Sequence, residues 1–445
     1  MLFNRCAYGG KTSQHPTHAK NVIFFLVDDL GWADLSCYGS TFHETPAIDA
    51  LAQSGVRFTH AYAACPVCSP TRASIITGRH PVRVGITDWI PGQNIESKPI
   101  SRFLHIHDND QLPLDEITFA EVLKKEKYQT CFVGKWHLGD KGFLPTDQGY
   151  DVNYGGFSRG SPPGGYYAPF RNPYLPDKTS GEYLTSRLTD EAIRFINKRD
   201  PNRPFLMSFC YYNVHTPIQA DTRSVAYYQQ KTTSLKGDTP TEREHEGQTR
   251  LRQDNPDYAS MVAAVDTSID RMLKALDEQN IAHETIIIFF SDNGGLSTKK
   301  TAGPTCNLPL RAGKGWLYEG GVREPLIIRA PGVSKPGLVV NTPVVSMDFF
   351  PTILELCDVS PKTTPTLDGR SIVGLLQGEE AATDRTLYWH YPHYHGSTWT
   401  PGASIRSGRW KLIEFYHLEK VELYDLQADP GERKNLSAIY PQRVL

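Results

Sequence analysis

Two short, continuously apolar runs in this chain end in acidic or amide side chains. Residues 21–29 read NVIFFLVDD, and residues 285–295 read TIIIFFSDNGG. A run without polar alternation is typical of a strand that is buried on both faces of a parallel sheet. Open α/β sheets bind ligands at the carboxyl ends of their strands. The pattern therefore predicts that Asp28, Asp29, Asp292 and Asn293 lie together at a ligand-binding edge.

The rest of the pattern alternates strand-like and helix-like segments. Further strands are predicted at 129–133, 204–211 and 325–329. Apolar residues at spacings of three and four predict helices at 45–55, 114–127, 183–198, 256–279 and 346–357. This alternation indicates an α/β fold with a mostly parallel central sheet flanked by helices. Segments 157–179 and 220–254 break the pattern, and we interpret both as long surface loops of the kind that often carry substrate contacts.

The sequence pattern changes after about residue 380, where short strand-like segments alternate with residues typical of turns. We predict a small antiparallel β subdomain there. The predicted organisation is a catalytic α/β domain over residues 1–380 and a C-terminal subdomain over 381–445 that contributes to the substrate pocket.

Composition narrows the class of protein. The 445 residues are 39% hydrophobic and 22% charged, as in an ordinary soluble globular protein. The 47 basic and 49 acidic side chains give a net charge of −2, which argues against nucleic acid or an anionic membrane as a partner. No apolar run is long enough for a membrane span, and residues 1–20 lack the pattern of a signal peptide, so the compartment stays open. Eight cysteines are too few for a disulfide scaffold.

The segment CSPTR at residues 68–72 carries the most specific chemistry. Pro70 marks the start of a helix, which places Cys68 at the N-terminus and Arg72 one turn further along. Backbone N–H groups, the helix dipole and the guanidinium there favour an anion. Cys65 and Cys68 could instead form a redox or zinc pair, although no second pair with ligand spacing accompanies them.

Four further side chains suit an anionic substrate. Lys135 and His137 lie two residues apart after a strand, His215 follows another strand, and Lys314 stands between two glycines. A cation beside an imidazole suits anion binding and proton transfer. The oxygen-only set formed by the carboxylates and amide at the two strand ends suits calcium or magnesium better than zinc.

The motifs together resemble those of type I sulfatases, whose signature cysteine is oxidised after synthesis to formylglycine. The matching segments, in order, are residues 27–31, 68–72 with 77–79, 134–139, 215–217, 291–294 and 313–315 with 318–323. The signature has Thr71 where serine is commoner, a tolerated departure. The resemblance implies a fold similar to that of alkaline phosphatase. It also implies one Ca²⁺ bound by Asp28, Asp29, Asp292, Asn293 and modified Cys68.

The resemblance further implies roles for the other residues. In the family, one hydroxyl of the hydrated aldehyde attacks sulfur and the second, on deprotonation, expels sulfate. Arg72, Lys135 and Lys314 would neutralise the sulfate oxygens. Asp292 would help to activate the attacking hydroxyl, His137 would assist the elimination, and His215 would protonate the leaving oxygen. A formylglycine-generating or sulfatase-maturing enzyme would be a partner, and the family favours a periplasmic or secreted location.

The similarity is nearest to bacterial sulfatases that act on sulfated carbohydrates, so we predict a sulfated sugar as substrate. The aromatic and histidine cluster in the C-terminal subdomain supplies His393 and Trp399 as candidate sugar contacts, with Asp88 as a third. Two alternatives remain: a phosphatase or phosphonate monoester hydrolase of the same superfamily, and a non-catalytic binder of sulfated glycan if Cys68 is not modified.

Overall fold

The computed structural model describes residues 20–92, 108–360, 366–380 and 385–445. A nine-stranded sheet forms the centre of the fold, with strands in the spatial order β11-β2-β10-β8-β1-β5-β3-β4 and β12 beside β2. The bounds of these strands are β1 Asn21–Val27, β2 Val56–Tyr62, β3 Gln129–Gly134, β4 Val152–Tyr154, β5 Phe205–Cys210, β8 Thr285–Ser291, β10 Arg323–Arg329, β11 Leu338–Val340 and β12 Val344–Val345. The remaining strands belong to two smaller sheets, with bounds β6 Thr241–Glu244, β7 Gly247–Arg250, β9 Thr298–Lys299, β13 Thr386–Tyr391, β14 Gly402–Ser407, β15 Trp410–Phe415 and β16 Lys420–Asp425.

The sheet is largely parallel, as the sequence predicts. Strand β1 runs parallel to β5 on one side and to β8 on the other, and only β10 runs antiparallel to its two neighbours. In this register Val27 stands opposite Ser291, so the two acidic strand ends emerge side by side.

Each face of the central sheet carries its own hydrophobic core. Along β1, Phe24 packs in one cluster and Phe25 in the other, because successive side chains of a strand point to opposite faces. Burial on both faces explains why the run has no polar alternation.

Helices cover both faces, and most begin and end close to their predicted limits. The helices are α1 Pro46–Ser54, α2 Cys68–Thr77, α3 Pro81–Val84, α4 Phe119–Lys125, α5 Leu184–Lys198, α6 Val225–Thr232, α7 Pro256–Glu278, α8 Glu319–Val322, α9 Phe349–Leu356, α10 Val373–Leu376 and α11 Pro441–Val444. Helix α4 is shorter than the predicted 114–127 because Thr118 and Glu121 form a capping box that fixes its start.

The prediction of a long loop over 220–254 is wrong. That segment contains helix α6 and a hairpin of β6 and β7, and β7 pairs further with β9. Tyr228 packs against Phe42 and so anchors the amphipathic α6 to the domain. The polar composition hid these elements because each buries only one narrow face.

The C-terminal subdomain is a four-stranded antiparallel sheet in the order β13-β14-β15-β16. A third hydrophobic cluster joins it to the α/β domain, with Trp389 and Phe415 from the subdomain packed beside Trp316. The predicted boundary between residues 380 and 381 touches residues 381–384, which lie outside the described residues.

Among the helices of the described ranges, none combines the length and the apolar character that a membrane crossing requires.

Candidate active site

Four oxygen-bearing side chains meet at the carboxyl edge of the central sheet. Asp28 and Asp29 follow β1, and Asp292 and Asn293 follow β8. The backbone N–H of Asp29 donates to Oδ1 of Asp292 at 3.2 Å, and Nδ2 of Asn293 donates to Oδ1 of Asp29 at 2.8 Å. Parallel pairing of β1 with β8 therefore brings together side chains 263 residues apart in sequence.

Cys68 is the first residue of helix α2 and faces these carboxylates. Its Sγ lies 3.6 Å from Oδ1 of Asp28, and the residue is 1% exposed. Arg72 stands one helical turn further on, where Nε donates to Oδ2 of Asp292 at 2.8 Å and Nη1 donates to the carbonyl of Lys135 at 2.7 Å. The helix start thus holds the signature cysteine beside the acidic cluster, as the Pro70 position predicts.

Two lysines complete the cluster from opposite sides. Nζ of Lys135 donates to Oδ2 of Asp28 at 2.7 Å, and Nζ of Lys314 donates to Oδ1 of Asp29 at 2.6 Å. Lys314 also lies 3.4 Å from Sγ of Cys68. The side chain of Lys135 is wholly enclosed, whereas Lys314 is 9% exposed, so Lys314 is the lysine that faces incoming substrate.

The carboxylates and cations shift one another's protonation. Burial raises the pKa of Asp28 to about 8, against the opposing pull of Lys135. Burial also acts to raise the pKa of Asp29, but the Lys314 ammonium outweighs it and holds that pKa below its usual range. Burial acts to lower the pKa of Lys314, and Asp29 more than reverses this, so Lys314 stays charged. The charges of the site therefore nearly balance. They belong to three buried carboxylates and three buried cations, Asp28, Asp29 and Asp292 with Arg72, Lys135 and Lys314.

The acidic cluster fits a hard divalent cation. One ligand atom from each of Asp28, Asp29, Cys68 and Asp292 lies within 4.8 Å of the others. Oδ1 of Asn293 is buried and accepts no hydrogen bond, which is costly unless something else binds it. Carboxylate and amide oxygens are the ligands that Ca²⁺ prefers. An unpartnered amide oxygen beside three carboxylates is what a calcium site requires of the protein.

The imidazole of His137 is held as a neutral ring with one nitrogen unused. Its Nε2–H donates to the carbonyl of Ile90 at 2.6 Å, and Nδ1 is buried without a hydrogen-bond partner. Burial lowers the pKa of His137 well below its usual value, and the Lys135 charge adds to this effect. Nδ1 therefore carries a lone pair that can accept a proton from a bound group.

His215, like His137, is oriented by a hydrogen bond from one ring nitrogen to a backbone carbonyl. Its Nδ1–H donates to the carbonyl of Thr216 at 2.7 Å, and Nε2 lies 3.8 Å from Oδ2 of Asp29. Burial lowers the pKa of His215 to about 3, and the Lys314 charge contributes. Without substrate the ring is neutral, so the predicted acid role requires an added negative charge that raises this pKa.

A cavity of about 310 Å³ opens onto this cluster. Cys68, His137, His215 and Lys314 line its inner part. The other lining residues are Trp89, Ile90, Pro91, Ser158, Arg159, Gly160, Ser161 and His395. Of the three cations predicted to neutralise the sulfate oxygens, Lys314 lines the cavity, whereas Arg72 and Lys135 are buried behind it and contact the carboxylates.

The three predicted sugar contacts do not line this cavity. Trp399 is 1% exposed, packs against Trp316 and donates its indole N–H to the carbonyl of Tyr391, so it has no free face for a sugar ring. His393 is 3% exposed, and its Nε2 lies 2.8 Å from Oγ1 of Thr87. Asp88 is buried and accepts a hydrogen bond from the Tyr391 hydroxyl at 2.9 Å. These contacts join the subdomain to the loop after α3, and the neighbouring residues Trp89 and His395 are the ones that line the cavity.

The sequence predicted substrate contacts in one loop without singling out three residues that line the cavity, Ser158, Arg159 and Ser161. They lie in the Gly- and Pro-rich segment 157–179, which was predicted to carry substrate contacts. Close approach explains one glycine there, because a Cβ on Gly160 would stand 2.4 Å from Cε1 of His137. A glycine packed on a candidate catalytic ring is the signal that could have singled out this loop.

Comparison with known proteins gives a consistent family. The sequence model of the family described as "Sulfatase" matches residues 20–359, and that described as "N-sulphoglucosamine sulphohydrolase, C-terminal" matches residues 312–442. A sulfatase of Formosa agariphila is 30% identical over 100% of this chain and 89% of its own length.

A second relative agrees in sequence, and a solved structure agrees in fold. Human N-acetylgalactosamine-6-sulfatase is 29% identical, over 94% of this chain and 81% of its own. The crystal structure of Ps i-CgsB in complex with k-i-k-neocarrahexaose is 27% identical and superposes with a TM-score of 0.78, over 96% of this chain and 90% of that chain. With an acidic cluster, a signature cysteine and a match over most of its length, the chain belongs to the sulfatase family of sulfuric ester hydrolases.

Proposed function

We propose that this protein hydrolyses O-sulfate monoesters on carbohydrates, using formylglycine made from Cys68 and one bound Ca²⁺. The observation that carries the proposal is the position of Cys68. Its Sγ lies between Nζ of Lys314 at 3.4 Å and Oδ1 of Asp28 at 3.6 Å, on the inner wall of an open cavity. A group projecting from residue 68 would face a cation, a metal site and incoming substrate at once.

The environment of Cys68 makes the unmodified thiol a poor nucleophile. Burial raises the pKa of the thiol to about 12, although Lys135 and Lys314 pull it down. A thiol with that pKa stays protonated at neutral pH, and it is the thiolate that attacks. Formylglycine supplies a hydrated aldehyde with one hydroxyl to attack sulfur and a second to release sulfate. A formylglycine-generating or sulfatase-maturing enzyme would make this change, and we expect it as a partner in a periplasmic or secreted setting.

Calcium would be held by Asp28, Asp29, Asp292 and Asn293, with the modified residue 68 beside them. When bound, the ion supplies positive charge that lowers the pKa of an attacking hydroxyl and neutralises sulfate oxygens. The side chains alone nearly balance in charge, so a divalent ion would leave the site positive and attractive to an anionic ester.

The other residues divide the work of binding and proton transfer. Arg72 and Lys135 fix the carboxylates by hydrogen bonds of 2.8 and 2.7 Å. Lys314 presents its ammonium to the sulfate. Nδ1 of His137 offers a lone pair to accept a proton in the release of sulfate. A bound ester brings negative charge next to His215, which raises its pKa toward the range in which it can protonate the leaving oxygen.

A carbohydrate substrate is supported by the wall of the cavity. Trp89 and His395 offer an aromatic ring and a hydrogen-bonding imidazole, and Ser158 and Ser161 offer hydroxyl groups. Sugars are bound through ring faces and hydroxyl groups, so this mixture suits them. One relative carries an aminosugar sulfate in its name, N-acetylgalactosamine-6-sulfatase.

A desulfation screen over defined sulfated mono- and oligosaccharides tests the proposed function, using protein whose formylglycine content has been measured. We expect release of sulfate from at least one sugar, at a higher kcat/KM than from a simple aryl sulfate. Turnover confined to phosphate or phosphonate esters would favour a hydrolase of that kind instead. Sugar binding without turnover by fully modified protein would contradict catalysis.

Arg159 is expected to select substrates with a second negative charge. It lies at the cavity, is exposed, and forms no ion pair with any residue of the described ranges. We expect Arg159→Ala to raise KM for a disulfated or carboxylated sugar about tenfold, with KM for a monosulfated neutral sugar nearly unchanged, because a charge-assisted hydrogen bond is lost. Steady-state kinetics on the two substrates measure this.

The matched control is Arg171→Ala, which removes an exposed arginine of the same segment that does not line the cavity. An equal rise in KM for both substrates in Arg159→Ala, or the same change in the control, would contradict a selective role for Arg159.

A further inference from the structure

A second and larger cleft lies where the α/β domain meets the C-terminal sheet. Its volume is about 1060 Å³, at the upper end of the range typical of small-molecule sites. Five arginines line it: Arg323, Arg370, Arg385, Arg406 and Arg409. It shares no lining residue with the cavity at Cys68, so we treat it as a separate site, named here the arginine cleft.

The inner arginines are anchored by contacts behind the cleft. Nε of Arg323 donates to the carbonyl of Thr59 at 2.7 Å, and Nη1 of Arg385 donates to Oδ2 of Asp348 at 2.5 Å. Arg406 stacks over the ring of Tyr62, with its guanidinium carbon 5.1 Å from the centroid. These contacts fix the direction of each guanidinium, which lowers the entropy lost when an anion binds.

The walls of the arginine cleft carry more arginines than the carboxylates behind them can pair, since Glu319 pairs with Arg323 at 3.5 Å and two aspartates pair with Arg385 and Arg409. Among the described residues that line it, none is aspartate or glutamate. Asp348 pairs with Arg385, and Asp425 pairs with Arg409, but neither carboxylate lines the cleft. The pKa of the lining His60 falls to about 3 because the ring is buried and because Arg323 lies beside it with Arg406.

Two arginines at the rim are exposed to solvent, although Arg409 is already paired with Asp425. Arg409 has 51% of its side chain exposed, and Arg370 is exposed and forms no ion pair within the part of the chain that the structure describes. In a protein with a net charge of −2, five arginines converging on one cleft are a strong local departure from neutrality.

We propose that the arginine cleft binds a sulfated segment of a polysaccharide at a distance from the ester being hydrolysed. The proposal rests on the proposed function, which makes a sulfated glycan the substrate. The planar, multidentate guanidinium suits the oxygens of sulfate groups, and the volume suits several groups along a chain. Engagement at both sites would hold a polymer more tightly than a short sugar, because the second contact is intramolecular.

The aromatic content of the cleft favours a glycan over a single-stranded nucleic acid. Nucleic-acid grooves combine basic groups with open aromatic faces on which bases stack. The aromatic ring lining this cleft is Trp410, and its ring already has Arg409 and Arg443 over it at 5.3 and 4.5 Å, with Tyr440 edge-on at 5.5 Å. Arginines already stacked on this ring compete with a base for it.

The test compares two double variants that remove the same charge. Arg370→Gln with Arg409→Gln empties the rim of the arginine cleft, and Arg243→Gln with Arg433→Gln removes two exposed arginines elsewhere. The probe is a fluorescent heparin decasaccharide, titrated at several salt concentrations, and thermal melting checks the fold of each variant. We expect the cleft variant alone to bind about tenfold more weakly and with a shallower salt dependence.

Turnover of a small aryl sulfate should be equal in the three proteins, because it does not reach the cleft. Selective loss of decasaccharide binding supports glycan binding by the arginine cleft even if no sulfate ester is hydrolysed. The experiment therefore tests glycan binding by the cleft separately from the proposed sulfatase activity. Equal binding of the decasaccharide by both double variants would contradict glycan binding by the arginine cleft. Displacement of the decasaccharide by a millimolar excess of inorganic sulfate, or preferential binding of an oligonucleotide of equal charge, would overturn the polysaccharide as its ligand.

Discussion

Replacing Cys68 by alanine is expected to abolish sulfatase activity. The substitution removes the side chain that faces both the lysine and the carboxylates, so neither the thiol nor any oxidised form of it remains. Loss of a catalytic nucleophile typically costs at least about 10⁴-fold in kcat. Steady-state hydrolysis of an aryl sulfate and of a sulfated sugar would measure the loss on both.

Cys65→Ala is the matched control. Cys65 lies three residues earlier, is equally buried, and its thiol contacts the carbonyl of Thr87 at 3.8 Å rather than the acidic cluster. We expect that variant to keep most of its activity. Retained activity in Cys68→Ala, with melting unchanged, would show that residue 68 is not the nucleophile.

Removal of calcium is expected to reduce activity to background and to lower thermal stability. The carboxylates of Asp28, Asp29 and Asp292 are buried beside the orphaned Oδ1 of Asn293, and a cation satisfies all four. A ligand that binds only the folded state stabilises it by about 2.7 kcal/mol at one hundred times its Kd. Dialysis against a chelator, followed by stepwise return of CaCl₂, measures both the melting temperature and the rate.

Asn293→Ala separates the ligand effect from general damage. It removes an unpartnered oxygen along with two hydrogen bonds, to Oδ1 of Asp29 and to the carbonyl of Gly294, so we expect a modestly lower melting temperature of the apo protein and a smaller rise on addition of calcium. A melting temperature of wild-type protein that does not respond to calcium, with full activity in chelator, would contradict a calcium site here.

The sequence correctly predicts that acidic side chains meet at one edge of the sheet, because the ends of two strands determine their positions. Asp28 and Asp292 each follow an apolar run that only a doubly covered strand tolerates, and parallel pairing of two such strands leaves their ends adjacent. The start of helix α2 is equally local, since the proline after Cys68 fixes it.

Contacts between residues that are distant in sequence were harder to predict from the sequence. That Lys314 pairs with Asp29 and Lys135 with Asp28, and not the reverse, depends on how loops cross the sheet edge. The burial of the three predicted sugar contacts away from the cavity was hidden for a related reason. Aromatic and imidazole side chains serve equally in a core and in a pocket, and the burial of Trp399 follows only from its packing on Trp316.

The C-terminal subdomain also shows that local sequence patterns predict strands better than they predict packing between domains. Its short strands are predicted from turn signals and alternation, yet the side chains that it places at each cavity depend on where it docks. Docking brings His395 to the cavity and Arg406 with Arg409 to the arginine cleft. A single arginine on a strand, such as Arg406, or in a turn, such as Arg409, has the pattern of solvated surface until a second domain packs beside it.

Mass spectrometry of the tryptic peptide that contains residue 68 tests the proposed chemistry most directly. The protein should be made with its maturation enzyme, and peptide mass and specific activity should be measured on the same samples. We predict that the thiol of Cys68 is replaced by an aldehyde and that activity rises in proportion to the modified fraction. Full sulfatase activity in protein whose residue 68 is an intact cysteine would contradict a formylglycine mechanism.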